Sequence, residues 1–234
     1  MTMVLSAEPE HTYKLSVIQQ PKRAKAFGFG DRDRRPIDPC PIVQLHIIQP
    51  DGIENQQLLW EGTFVMHATL FDESGTTECS ASKIIAPDAP SGDTSGSNSS
   101  SSTNVYGLGD DQCYEQMALG SLASSAHHVR DLEDKRGCFF CFPDIRVRHP
   151  GRFRLRFTLI RLQTTGITRE EPISVLIHEI SEPFTVYTAR DFPGVDESTA
   201  LSKRLNIQGV GIPIRNKGRL KQEEDDDDGG ATSN

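Results

Sequence analysis

The sequence predicts an all-β fold, an immunoglobulin-like β-sandwich with one short helix near its C-terminal end. Three observations support this prediction: apolar and polar residues alternate, turn residues separate the apolar runs, and helical patterns are nearly absent. The clearest alternation is RFRLRFTLIRL (152–162), which is typical of a strand with one buried and one wet face. Its apolar positions are Phe153, Leu155, Phe157 and Leu159, and its basic positions are Arg152, Arg154 and Arg156.

Further strands are predicted in six segments, which proline, glycine or Asp-Gly breaks separate. They are YKLSVIQQ (13–20), PIVQLHII (41–48), LWEGTFVMHATLF (59–71), MALGSLAS (117–124), ISVLIHEI (173–180) and FTVYT (184–188). Only DESTALSKRLNIQG (196–209) predicts a helix, because acids and hydroxyls open it, Leu201 and Leu205 lie four apart, and Gly209 ends it. Alternating βαβ units are not indicated, which disfavours a Rossmann or P-loop fold.

The 234 residues fit one domain with flexible segments, and a hydrophobic fraction of 35% indicates that part of the chain adds nothing to a core. We expect the domain at 13–216, a flexible N-terminus at 1–12 and a disordered acidic tail at 217–234. The Ser/Gly/Pro-rich stretch 86–104 predicts a disordered insertion at about 80–112. No apolar run approaches the ~20 residues that span a bilayer, and no signal peptide is indicated, so we expect neither a membrane segment nor export.

The negative charge is unevenly distributed. The chain carries −8, but the run 223–228 and the region 72–111 carry −6 each, so the remaining residues are net +4. A group of six basic side chains and two aspartates, net +4, lies in QPKRAKAFGFGDRDRRP (20–36), which we call the basic segment. The basic residues are Lys22, Arg23, Lys25, Arg32, Arg34 and Arg35. A local positive field of this kind is typical of a binding surface for a polyanion.

Two enzyme-like interpretations of the sequence are disfavoured. GFGDRD (28–33) begins like a dinucleotide-binding loop, but Asp33 replaces the third glycine and prolines follow instead of a helix. His127 and His128 lie beside Ser124 and Ser125 in a predicted loop, without the Gly-x-Ser-x-Gly motif of a hydrolase. We therefore predict no enzymatic activity, no cofactor and no small-molecule substrate.

The five cysteines are odd in number and irregular in spacing, which disfavours a secreted disulfide framework. CFFC (138–141) has the spacing of a metal or redox motif, but no second ligand pair accompanies it. Its setting is aromatic and strand-like, whereas redox cysteines of this spacing lie at exposed helix N-termini. We therefore predict that the cysteines of CFFC are buried and structural and that they bind no metal.

The residues of the basic segment leave two interpretations open. Six basic side chains on a loop after the first strand can face a phosphate backbone or guanine edges, and glycines allow close approach. Asp31 and Asp33 can position these arginines or screen them, so a solvated charged loop is about equally consistent. The acidic run 223–228 is interpreted as a solubilising tail, with competition for the basic segment as the alternative.

Three blocks of the sequence resemble the velvet domain of fungal developmental regulators, in the family's order. They are VIQQPKRAKAFGFGDRDRRPIDPCPIVQL (17–45), GCFFCFPDIRVRHPGRFRLRFTL (137–159) and SEPFTVYTARDFPGVDESTALSKRLNIQGVGIPIR (181–215). The resemblance implies an immunoglobulin-like sandwich related to the Rel-homology (NF-κB-like) DNA-binding domain. The serine-rich insertion is similar to that of the velvet B type, and the chain as a whole resembles a velvet B-like or spore-viability-type member.

The resemblance also implies a function. It implies a sequence-specific, DNA-binding transcription regulator of fungal development, sporulation and secondary metabolism, present in the nucleus and also in the cytoplasm. Its expected partners are double-stranded DNA and other velvet-domain proteins, in a homodimer or heterodimer. Residues that match the family's DNA-contacting loop are Arg32, Arg34 and Arg35, with Lys22, Arg23 and Lys25 beside them. The alternative is a velvet scaffold that binds no DNA and acts only through protein partners.

Overall fold

Fifteen strands and two short helices make up the described part of the computed structural model, which covers residues 11–27, 35–83, 105–107, 113–162 and 174–216. The first half contains β1 (Thr12–Gln19), β2 (Arg23–Lys25), β3 (Ile42–Ile48), α1 (Gln56–Glu61), β4 (Thr63–Asp72), β5 (Ala81–Lys83), β6 (Val105–Gly107) and β7 (Cys113–Gln116). The second half contains β8 (Ala118–Leu119), β9 (Ala123–Ser125), β10 (His127–Arg130), β11 (Arg136–Cys141), β12 (Arg146–Val147), β13 (Gly151–Leu162), β14 (Ser174–Ile180), β15 (Phe184–Tyr187) and α2 (Ala200–Ile207).

Two larger sheets form the body of the fold. The first sheet has the strand order β1-β3-β11-β10, and the second has the order β2-β15-β13-β4-β9. Strand β14 also joins the second sheet, pairing with the C-terminal half of β13 while β15 pairs with its N-terminal end. Every pair in these two sheets is antiparallel except β2 with β15, which is parallel. Two small sheets, β12-β8 and β5-β7-β6, complete the described strands.

The core lies between the two larger sheets, as the predicted sandwich requires. On β13, Leu155, Phe157 and Leu159 are fully buried, which confirms the alternation predicted for this strand. They meet apolar residues of the first sheet and its loops, and the rings of Phe142 and Phe157 lie 5.1 Å apart. The same cluster includes Leu15, Val43, Leu45, Phe64, Met66, Leu70, Phe140 and Phe184. An all-β sandwich is therefore the observed fold.

Helix α2 covers the outer face of the first sheet. Its side chain Leu205 is fully buried and packs with Phe139 and Cys141 of β11. The chain after the helix returns along the same face, where Val210 and Ile212 join this second apolar cluster. The helix predicted at 196–209 is confirmed, although its regular part is shorter and begins after the N-cap Thr199.

Two predicted strands differ from the structure. The first residues of the segment 59–71 belong to α1, a helix that the sequence analysis missed, and Asn55 caps it by accepting the Leu58 amide at 2.9 Å. The segment 117–124 is interrupted at Gly120, where φ is +101° and an added Cβ would lie 1.8 Å from the Asp144 carbonyl oxygen. Only glycine fits this turn, so β8 ends there.

Most of the segments predicted to be disordered lie outside the described residues. This holds for 1–10, for 84–104 and 108–112 within the predicted insertion, and for the tail 217–234. Within the range predicted for the insertion, β5 and β6 both pair with β7 and form a small sheet.

Candidate nucleic-acid interface

The N-terminal part of the basic segment forms a strand, although the sequence analysis predicted a loop there. Arg23–Lys25 forms β2, which runs parallel to β15 with Arg23 opposite Thr185 and Lys25 opposite Tyr187. The Ala26 amide then donates to the Tyr187 carbonyl at 2.8 Å. Residues 28–34, which include Arg32 and Arg34, lie outside the described residues. The strand therefore fixes the backbone from which this part of the chain departs.

The basic segment leaves and returns at one point of the sandwich. The amides of Lys22 and Arg23 both donate to the Asp38 carbonyl, at 3.2 and 3.0 Å, and the Asp38 amide donates to the Arg23 carbonyl at 2.8 Å. The Ile37 amide donates to the Ile145 carbonyl at 2.8 Å, which ties the returning chain to the core. The segment is consequently closed by backbone hydrogen bonds at its base.

The Asp38 carboxylate organises this base. It is 2% exposed; one oxygen, Oδ1, accepts from Nη2 of Arg215 at 2.5 Å, and the other accepts the Asp196 amide at 3.0 Å. Nη2 of Arg23 lies 2.5 Å from Oδ2 of Asp196. Two arginines and two aspartates therefore join β2, the chain before β3 and the chain on both sides of α2. A buried carboxylate requires such partners.

The described basic residues differ in how far their side chains are exposed and in whether they form ion pairs. Lys22 is exposed, while Arg23, Lys25 and Arg35 are half-buried, and the guanidinium of Arg23 pairs with the Asp196 carboxylate. The structure adds Arg215, whose side chain shares a small pocket with Pro36 and Asp38. We call Lys22, Arg23, Lys25, Arg35 and Arg215 the basic surface. Arg215 was missed because 177 residues separate it from Asp38 and no local pattern joins them.

A buried polar network holds α2 beside this base. The Gln19 side chain donates to the Cys40 carbonyl at 2.7 Å and to the Ser202 hydroxyl at 2.9 Å. It accepts from the hydroxyl of Thr199, the N-cap residue of α2, at 2.6 Å. The network connects the end of β1, the chain after Asp38 and the first turn of α2. Its donors and acceptors satisfy one another in the protein interior, as buried polar groups must.

An aromatic residue closes the first part of the basic segment. Phe27 is 2% exposed, and the guanidinium carbon of Arg148 lies 4.9 Å from the centre of its ring. Nε of Arg148 lies 3.3 Å from the buried carboxylate of Glu115, which also contacts Nε2 of His149 at 2.5 Å. Phe27 therefore anchors the chain immediately before residues 28–34.

Three arginines of β13, namely Arg152, Arg154 and Arg156, contact groups of the same chain. Nε of Arg154 donates to the Glu73 carbonyl at 2.7 Å, and Nη1 donates to the Ser181 carbonyl at 2.8 Å. The guanidinium of Arg156 lies 3.8 Å from the centre of the Phe71 ring, and Arg152 pairs with the Glu73 carboxylate at 3.1 Å. This second group of basic side chains secures the turn after β4.

The cysteines of CFFC are buried in β11, as predicted. Burial raises the pKa of the Cys138 thiol to about 12, and burial together with nearby Cys40 also raises the pKa of the Cys141 thiol. Burial also raises the pKa of Cys40 to about 11. Thiols with such pKa values are protonated at neutral pH and react slowly.

Thiol labelling checks this assignment. In the native protein, Cys138 and Cys141 are expected to react with a maleimide at least about a hundredfold more slowly than in urea, because burial limits both access and thiolate formation. Half-buried Cys79 is the internal comparison and is expected to react first of the three. The rates are read by peptide mapping. Fast native labelling of either CFFC cysteine would contradict a structural role.

The histidine pair lies on β10, a strand, and not in a loop as predicted. Nε2 of His128 contacts the Leu59 carbonyl at 2.8 Å. The imidazole of His128 stacks on the Trp60 ring, with the ring centres 4.7 Å apart. Burial and neighbouring His128 lower the pKa of His127. The Ser124 hydroxyl accepts the Cys141 amide at 3.1 Å, so its described bonds hold β9 against β11 and do not form a triad.

Within the ranges that the structure covers, no group of three His, Cys, Asp or Glu side chains is placed to hold a metal ion. None of the helices in these ranges is long and apolar enough to cross a bilayer.

The fold defines the class: the chain is an all-β sandwich, and the basic residues of β2 lie on the edge strand of its second sheet. The family model described as velvet factor matches residues 13–218. The chain therefore belongs to the velvet family.

Relatives of known name agree with this assignment. The sexual development regulator umv3 of Mycosarcoma maydis is 36% identical over 94% of this chain and 50% of its own length. The spore development regulator vosA of Beauveria bassiana is 35% identical over 89% of this chain and 67% of its own. Velvet complex subunit 2 of Gibberella moniliformis is 32% identical over 90% of this chain and 62% of its own. The chain spans half the length of the first of these relatives.

Proposed function

We propose that this chain is a sequence-specific DNA-binding regulator of fungal development that acts as a velvet homodimer or heterodimer. A role in sexual or spore development is supported by the names of two relatives, and partnership with velvet proteins by the words "velvet complex" in the name of a third. Control of sporulation and secondary metabolism belongs to the same proposal. A protein that acts on DNA is expected in the nucleus, with a cytoplasmic pool before import.

One observation carries the DNA-binding part of the proposal: both ends of the basic segment are fixed at one point. Backbone bonds to Asp38 close the segment, β2 fixes Lys25, and the bonds of the Lys22 backbone to Asp38 and Thr185 hold Lys22 directly before β2. Between the two ends, the chain carries Arg32 and Arg34, and Arg35 follows at its return. Because both ends are anchored, the segment loses less conformational entropy on binding DNA. More of the attraction between its positive charges and the phosphates therefore contributes to affinity.

The proposed mechanism divides the basic residues by role. Lys22, Arg23 and Lys25 neutralise phosphates, which supplies affinity and orientation without sequence information. One or more of Arg32, Arg34 and Arg35 reach base edges, where a guanidinium binds guanine O6 and N7 with two hydrogen bonds. Arg215 adds positive potential at the base, while its contact with Asp38 keeps it in place.

The test is a gel-shift titration of the R32A/R34A/R35A variant. We expect its affinity for duplex DNA to fall at least about thirtyfold, and the salt dependence of binding to become shallower by about one unit per lost phosphate contact. The control variant K135A/R136A/R161A also removes three positive charges, two at the start of β11, where Lys135 directly precedes the strand, and one near the end of β13. It is expected to bind within about threefold of the wild type, since only the long-range field changes. Equal losses in both variants would contradict the assignment of this segment.

The scaffold function is the second candidate, and one observation favours it. Arg23 and Arg215 are already engaged by Asp196 and Asp38, which reduces the charge available to a phosphate backbone. Selection of bound duplexes from a random pool, performed with and without a velvet partner, separates the two. Enrichment of a motif supports DNA recognition, whereas no enrichment in either case supports the scaffold.

A further inference from the structure

We propose that the acidic run 223–228 docks on the basic surface of its own chain and competes there with DNA. The competition rests on the proposed function, whereas the docking itself does not. The occupant is part of the segment that follows the last described residue, Asn216, and the site consists of described residues at the base of the basic segment. Three observations carry the proposal: the place where the tail starts, its reach and its charge.

The tail starts at the basic surface. Arg215 is fixed by its contact with the Asp38 carboxylate, and its amide donates to the Ser198 hydroxyl at 2.9 Å. The Ser198 amide in turn donates to the Arg215 carbonyl at 3.1 Å. The Asp38 carbonyl accepts the amides of Lys22 and Arg23. Asp38 therefore contacts both Arg215, just before the tail, and the start of the basic segment.

The reach of the tail is sufficient. Eight residues lead from Arg215 to Glu223, the first acid of the run. A fully extended chain of that length covers about 27 Å, and a flexible one has an end-to-end distance of about 16 Å. A segment tethered this closely has an effective concentration in the millimolar range at the site. Even a weak contact is therefore populated without any second molecule.

The charges are complementary. The basic surface has five basic side chains, of which Arg215 and Arg23 contact the carboxylates of Asp38 and Asp196. When these two carboxylates are counted with it, the basic surface is net +3. The tail offers six carboxylates in succession, a density that resembles a phosphate backbone. Binding of the run replaces solvent counterions in this positive field.

A local competitor exists within the tail. Lys217, Arg219 and Lys221 lie between Arg215 and the acidic run. The run can pair with them instead, and then the basic surface stays open. A test of docking therefore has to distinguish contacts with these residues from contacts with the basic surface.

Carbodiimide crosslinking of the full chain makes this distinction, because it joins a lysine amine to a carboxylate only when the two are in contact. We expect crosslinks from Lys22 or Lys25 to the run 223–228, read by mass spectrometry. Raising the salt to about 0.5 M should remove them, since screening acts strongly on exposed charges. Crosslinks restricted to Lys217 and Lys221 would overturn the proposal. So would crosslinks that form only between isotopically distinct copies of the chain.

Duplex binding tests the competition. A full-length variant with the six tail acids replaced by their amides (E223Q, E224Q, D225N, D226N, D227N, D228N) is expected to bind about tenfold more tightly at about 50 mM salt, and less than about twofold more tightly at about 300 mM. The control replaces six acids elsewhere (E61Q, D88N, D93N, D110N, D111N, E133Q) and makes the same change in net charge. We expect its affinity to rise less than about threefold.

The outcomes separate the two proposals. If no variant binds DNA, the proposed function fails, and the crosslinks alone decide whether docking occurs. If all variants bind and the tail variant gains no more than the control, competition is overturned while the proposed function stands. A gain specific to the tail variant, together with crosslinks to Lys22 or Lys25, supports both.

Discussion

Replacing Asp38 by alanine is expected to lower the free energy of unfolding by about 2 to 3 kcal/mol. The substitution removes the acceptor of the Asp196 amide and leaves Arg215 without the carboxylate that it contacts. The Arg215 side chain is 29% exposed, so water compensates part of the loss. Urea unfolding followed by circular dichroism measures the change.

Asp196→Ala is the matched control for this experiment. Asp196 also pairs with an arginine, but its side chain is 63% exposed, so the pair contributes about 0.5 kcal/mol or less. The bond from the amide of residue 196 to the Asp38 carboxylate remains in this variant, because it comes from the backbone. Equal losses in the two variants would show that burial of Asp38 does not determine the stability of the base.

The second large effect concerns helix α2. Leu205→Ala is expected to lower the free energy of unfolding by about 3 kcal/mol, because removal of a fully buried side chain leaves a cavity against Phe139, Val210 and Ile212. Ile207→Ala on the same helix is the control, since Ile207 is 80% exposed and its loss costs less than about 0.5 kcal/mol. Thermal unfolding of both variants measures the difference.

Helix α2 is connected to the basic surface through the chain that follows it. The chain after α2 leads to Arg215, so loosening α2 also loosens the contact between Arg215 and Asp38. Unfolding of the Leu205→Ala variant is expected to remain cooperative, because the inner core does not depend on the helix. Similar stability of the Leu205 and Ile207 variants would contradict the packing of the helix on the first sheet.

The sequence predicted the sandwich because its strands follow elementary rules. In β13, alternate residues face the core and the outer surface, so a period of two identifies both faces. Helix α1 was missed because its six residues run directly into β4, and a single turn and a half gives no periodic signal. The break at Gly120 depends on a contact with the distant Asp144 carbonyl, which no local pattern contains.

The candidate site was predicted only in part, for a similar reason. The excess of lysine and arginine at 20–36 is a local property of the sequence, and composition detects it. The base depends on Asp38, Asp196 and Arg215, which the fold brings together from separate regions. Each of them alone is an ordinary charged residue in a sequence. Their grouping is a tertiary property and needs the structure.

The closure of the basic segment at Asp38 separates the stability of the scaffold from the identity of the side chains that the segment carries. The bonds that close it come from the backbone of Lys22, Arg23 and Asp38, so they do not depend on the side chains between Phe27 and Arg35. Under the proposed function, substitutions of those side chains change which DNA sequence is recognised, while the backbone bonds at the base stay in place. For protein engineering, the same stretch is a natural graft point: one sandwich can display many different inserts.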